Sequence, residues 1–131
     1  MLDVHINDFW KDCAAILLSG LRHFPRQQTL YIEDISGPDD MDEFGLHSPR
    51  HLAALGAVQW LKDEGFIRFS HFDKQESVDE FVLCAKAFSR LLQQQDGSAL
   101  FQTLEYAFLQ KDSAWLERLM QQFLLEHSAA R

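Results

Sequence analysis

His47 and His51, in the run His47-Ser48-Pro49-Arg50-His51, stand four residues apart. On a helix that spacing puts two imidazoles on one side, as in many divalent-metal sites. Ser48-Pro49, however, reads as a helix start, so His47 precedes the helix. Such sites need three or four ligands, and the sequence positions no third. Neither a metal centre nor a cofactor is expected. The acidic run Asp39-Asp40-Met41-Asp42-Glu43 lacks the spacing and central glycine of a calcium loop. It reads as a solvated acidic loop, with docking of a basic partner as its second use. Cys13 and Cys84 are far apart and have no sequence-adjacent base, so both read as buried thiols. Ser19-Gly20 and Ser36-Gly37 lack the surrounding G-x-S-x-G of a nucleophile elbow, and no glycine loop cradles a phosphate. His71 and Asp73 read as exposed turn residues. No catalytic set assembles, and a non-enzymatic protein is expected.

Composition narrows the classes further. A chain of 131 residues, 47% hydrophobic and with 11 Phe, has the material for one cored domain with an appendage. Its net charge of -8 is uneven: residues 1–46 hold three basic and nine acidic side chains, residues 47–95 six of each, and residues 96–131 three and five. No segment is basic, so the overall field opposes nucleic acid. The aromatic residues follow helical core spacing and have no basic groove beside them, unlike a base-stacking platform. The N-terminus has no basic start of a secretory signal, and no apolar run reaches the ~20 residues of a membrane span. A cytoplasmic protein without membrane contact is expected.

The elements that must position these groups are readable from periodicity. Ile6, Phe9, Trp10, Cys13, Ile16, Leu17, Leu21 and Phe24 recur every three or four residues and predict a helix over 5–24, ended by Pro25. Thr29–Ile32 is β-prone. Pro38 followed by acids predicts a short helix over 39–44. Ser48 and Pro49 open a helix over 49–64, closed by Gly65. Residues 66–72 and 78–84 alternate as two strands of a hairpin around the polar turn 73–77. Helices follow over 85–95, 99–110 and 114–127. The short link between the last two predicts an antiparallel helical hairpin.

This order resembles the winged-helix superfamily. Trp60-Leu61-Lys62-Asp63-Glu64-Gly65-Phe66-Ile67 is similar to the end of that fold's third helix leading into the wing, and Phe81-Val82-Leu83-Cys84-Ala85-Lys86-Ala87 is similar to its last wing strand and the helix start after it. The resemblance covers about residues 5–95. It implies an α+β, mostly helical chain: a winged-helix domain with a two-stranded wing over 1–95 and a C-terminal antiparallel helical hairpin over 96–131. That hairpin would pack on the domain or serve dimerisation, being similar in kind to the helices of MarR-like and PadR-like regulators.

In DNA-binding winged helices the third helix reads base edges. The resemblance implies that Leu61 points inward here, so helical spacing sends Ala54, Ala57 and Val58 inward with it. The opposite face is Leu52, Leu55, Gly56, Gln59 and Asp63, with His51 and Lys62 to one side. Leucines are poor base readers. The expected function is therefore docking of a protein partner through Leu52, Leu55, Gln59 and Trp60, with homodimerisation through the C-terminal helices. Cover of the same face by the chain's own hairpin carries equal weight. The alternative is a dimeric DNA-binding regulator using Arg50, His51, Gln59, Lys62 and Lys74. An apolar cleft between helices, suited to a small ligand, is a further expectation the sequence does not locate.

Overall fold

The computed structural model describes residues 2–39 and 41–125. Helix α1 spans Leu2–His23, strand β1 Gln28–Tyr31, helix α2 Glu33–Ser36 and helix α3 Pro49–Asp63. Strands β2 (Ile67–Arg68), β3 (Phe72–Asp73) and β4 (Ser77–Leu83) follow, then helix α4 (Ala85–Leu92). A small β5–β6 hairpin (Gln94–Gln95, Ser98–Ala99) leads to helices α5 (Leu100–Leu109) and α6 (Ser113–Leu125). The chain is α+β, helix-rich with a small antiparallel sheet. No described helix is long and apolar enough to cross a membrane.

Two expectations about local structure are corrected. Residues 39–44 do not form a helix; the single helical turn lies earlier, at Glu33–Ser36. The side chain of Asp42 instead accepts the Phe44 and Leu46 N–H groups at 2.8 and 3.0 Å. That local closure competes with helical backbone pairing, as aspartate commonly does. The break at Asp96-Gly97 is the tip of the β5–β6 hairpin, so the helix expected over 85–95 stops at Leu92. The last two residues of the helix expected over 114–127 lie outside the described residues.

Helix α3 has both of its ends locally specified. The Ser48 hydroxyl accepts the His51 N–H at 3.2 Å, and Pro49 occupies the first helical position. At the other end Gly65 adopts φ +84, its N–H donates to the Lys62 carbonyl, and the Phe66 N–H donates to the Leu61 carbonyl. This is a Schellman closure, which requires a left-handed residue where glycine stands.

Strand β4 is the centre of the sheet, with β1 on one side and β2 and β3 on the other. Ile67 pairs with Leu83 and Arg68 with Val82; Phe72 then pairs with Val78 and Asp73 with Ser77. Opposite β1, the register shifts between Gln28, which faces Phe81, and Leu30, which faces Val78. The extra residue is on β4, where Glu80 takes φ +59, as in a β-bulge.

The core lies between α1, α3 and the inner face of the sheet. Ile16, Leu17, Val58, Leu61, Phe66, Phe81 and Leu83 are buried there. Helix α1 approaches β4 closely at Gly20, where a Cβ would meet Leu83 Cδ2 at 2.6 Å. Helix α6 packs on α1 and α5, and α5 also contacts α1 and α4. Leu116, Leu119, Met120, Phe123 and Leu124 bury its inner side, and the Arg90 guanidinium donates to the Phe123 carbonyl.

Candidate functional site

The inward stripe of α3 is His51, Ala54, Ala57, Val58 and Leu61. His51 belongs to this stripe because it stands three residues before Ala54. Its expected place at the edge of the outer face is corrected: the residue is 1% exposed. On the outer side Leu52 is 46% exposed and Gly56 and Asp63 face solvent, whereas Leu55 and Trp60 are half-buried against the core. Trp60 meets Phe9 edge-on at 5.2 Å. The loop leading into α3 adds Met41, Phe44 and Leu46, each about half exposed or more. The C-terminal hairpin, seated on α1, leaves Leu52 uncovered.

The five residues considered for DNA are differently engaged. Arg50 donates twice to the Asp12 carboxylate, at 2.8 and 2.5 Å, and its Nε lies 3.8 Å from Asp8. Its charge is therefore paired within the chain. His51 is interior. Gln59 donates to Asp63 at 2.9 Å, and Lys62 lies 4.5 Å above the Phe69 ring. Of the five, Lys74, at the β3–β4 turn, is exposed and has no such partner among the described residues. Burial lifts the Asp12 carboxyl above its ordinary value; Arg50 offsets part of that and has its own pKa raised by the pairing.

Beneath the loop lies a polar cluster in which Asp39 joins the His47–His51 pair, for which the sequence positions no third group. Asp39 is not a solvated member of an acidic run; its side chain is 1% exposed. One carboxylate oxygen accepts the Ser48 N–H at 3.1 Å, and the other lies 2.6 Å from His47 Nδ1 and 3.5 Å from His51 Nδ1. Hydrogen bonding from Ser48, then from His47, holds the Asp39 carboxyl at about 2. The two imidazoles stack with centroids 3.9 Å apart and planes 8° apart. His51 Nε2 lies 2.8 Å from the Gln75 carbonyl, so this nitrogen carries the proton and donates across to the β3–β4 turn. The neighbouring Asp40 lies outside the described residues.

Two further features bear on chemistry. A cleft of about 460 Å³ opens between α1, α2 and the C-terminal hairpin, lined among others by Trp10, Lys11, Ile35, Phe108 and Leu116. Cys13 is fully buried, and burial, then the Asp12 carboxylate, pushes its thiol well up. A thiol so protonated is a weak nucleophile. Cys84 is free and half-buried.

No protein-family model, curated protein or solved structure matches the chain.

Proposed function

We propose that the chain is a winged-helix interaction module that docks a protein partner through the outer side of α3 and the loop before it. The order α1-β1-α2-α3 followed by a hairpin, and the strand order β1-β4-β2, support the winged-helix reading. The observation that carries the docking reading is Leu52, 46% exposed in the first turns of α3, following Met41, Phe44 and Leu46 on the loop. Exposed apolar groups gathered on one loop and helix start suit a protein interface. Asp42, Glu43 and Asp63 are exposed on the same loop and helix. The matching partner surface is apolar with basic groups at its edge.

The engagement of Arg50, Gln59 and Lys62 within the chain weighs against the DNA reading, as does the charge of -8. Tyr106, Leu109 and Leu125 remain exposed on the C-terminal hairpin and are the surface for self-association.

The test compares the wild-type chain with Leu52→Asp and Phe44→Asp. Both variants are expected to keep the wild-type circular dichroism and lose a partner captured from the source organism. Retention of that partner by both variants overturns the proposed surface. A salt titration on duplex DNA is expected to show no binding even at low salt. Affinity that falls steeply with salt overturns the protein-docking reading in favour of DNA. Light scattering of the chain and of Leu109→Asp separates self-association from partner docking: a dimer that Leu109→Asp dissociates is expected, and a monomeric wild type removes the homodimer.

A further inference from the structure

We propose that Asp39, His47 and His51 form a binding site for a divalent cation of the zinc class. The three side chains each offer a ligand atom, and these atoms lie within 4.8 Å of one another. The ligand set is two imidazole nitrogens and one carboxylate oxygen, drawn from the loop before α3 and from its first turn.

The decisive group is His51. It is 1% exposed, and its Nδ1 has no hydrogen-bond partner among the described residues. Nε2 donates to the Gln75 carbonyl, which leaves Nδ1 turned toward Asp39 Oδ2, 3.5 Å away. A ring nitrogen and a carboxylate facing each other in the interior require something positive between them, a proton or a cation. His47 Nδ1 converges on the same oxygen. The two rings now stack nearly parallel, 3.9 Å apart, so both lone pairs reach one cation only once the His47 ring turns out of the stack. The cation then replaces the His47 Nδ1–H that donates to Asp39, and that proton leaves to solvent.

The surroundings match those of metal ligands. A metal-bound histidine typically donates its other ring N–H to a carbonyl, as His51 does to Gln75. A metal-bound carboxylate is typically hydrogen-bonded in turn, as Asp39 is by the Ser48 N–H. A cleft of about 150 Å³ reaches the cluster, lined by Tyr31, Glu33, Asp39, Met41, His47 and Glu76. It supplies an entry path, and Glu33 and Glu76 give it the sign that attracts a cation. Two imidazoles favour zinc-like ions over calcium or magnesium, which take oxygen ligands, and the lack of a thiolate disfavours copper(I). Three protein ligands leave one coordination position for water or a further group. This inference stands independently of the docking reading.

The test uses the full chain, stripped with a chelator and desalted. Zinc(II) alone is titrated by calorimetry, and cobalt(II) by visible absorption. One saturable equivalent of zinc is expected, with intense cobalt bands of low coordination number. Nitrogen NMR of the imidazoles is expected to shift at His47 and His51 and not at His71. His47 is nearer the surface than His51, so His47→Gln is the variant of choice; it is expected to weaken zinc binding by about 100-fold or more while retaining the fold. His71→Gln, outside the cluster, is expected to bind as wild type. The absence of stoichiometric zinc binding by the wild-type chain overturns the inference, and the cluster is then a proton-held clamp. Undiminished binding in His47→Gln, or shifts confined to other histidines, overturns it as well.

Discussion

The imidazole of His51 reaches from the first turn of α3 to the Gln75 carbonyl, 2.8 Å away, and so ties the helix to the turn between β3 and β4. That turn is built on Lys74 and Gln75, at φ +53 and +62. This two-residue left-handed geometry matches the twist of a tight hairpin. It also aims the Gln75 carbonyl at the helix. His51 is thus a buried polar side chain that links α3 to an exposed turn far from it in the chain.

Removing that link is expected to destabilise the fold. His51→Ala leaves the Gln75 carbonyl unpaired and opens a cavity, at a cost of about 2–4 kcal/mol. Urea denaturation of wild type and variant measures the difference. A change below about 0.5 kcal/mol, the size of an ordinary surface substitution, would show that the link is structurally idle.

The Asp12–Arg50 pair predicts a pH-dependent penalty. Arg50→Met leaves a buried carboxylate without its guanidinium and is expected to cost about 2–4 kcal/mol at neutral pH. The sign follows from Asp12, whose folded pKa lies above its ordinary value. Stability from its protonated form is fully present below the unfolded pKa and is lost as pH rises through the folded one. Without Arg50 the folded pKa rises further, so the variant's deficit is expected to shrink as pH falls toward the ordinary carboxylate range. Asp12→Leu combined with Arg50→Met is expected to recover most of the loss, because an apolar pair needs no charge compensation. Denaturation curves at several pH values check both expectations.

Leu52 and Leu55 are expected to separate. Leu52→Asp changes an exposed residue and is expected to alter stability by no more than about 0.5 kcal/mol. Leu55→Asp places a carboxylate in a side chain packed against the core, and a loss of about 1–3 kcal/mol is expected. Thermal melts distinguish them. A loss for Leu52→Asp as large as that expected for Leu55→Asp would mean that both leucines are core, which removes the proposed docking surface.

Gly20 sits where α1 meets β4. Alanine there gains about 1 kcal/mol in helix propensity but drives a methyl group into Leu83 and Phe81, both buried, at a cost of about 1–3 kcal/mol. The clash is expected to win, with a lower melting temperature for Gly20→Ala. A higher one would show that Leu83 yields at no cost.

Much of α3 is legible in its residues alone. Ser48-Pro49 and Gly65 mark its ends, because caps act within a few residues of the backbone groups they satisfy. With Leu61 set inward, as the winged-helix resemblance implies, the burial of Ala54, Ala57 and Val58 follows from spacing. The same spacing places His51 inward, whereas the polarity of its imidazole points to an edge position; the Gln75 carbonyl, which resolves the conflict, is supplied from another element. The short helix expected over 39–44 does not form because the Asp42 side chain takes up local N–H groups that a helix would have used.

By itself the sequence determined the long helices α1, α3, α5 and α6 and the presence of a hairpin, since each rests on interactions spanning a few residues. Tertiary structure alone decided that Asp12 meets Arg50, that the Asp39 carboxylate meets the edges of both His47 and His51, and that the C-terminal hairpin covers α1 rather than the outer side of α3. These depend on how separate elements pack and on the path of the loop entering α3. No local periodicity encodes that path, because the groups it joins lie eight to thirty-eight residues apart.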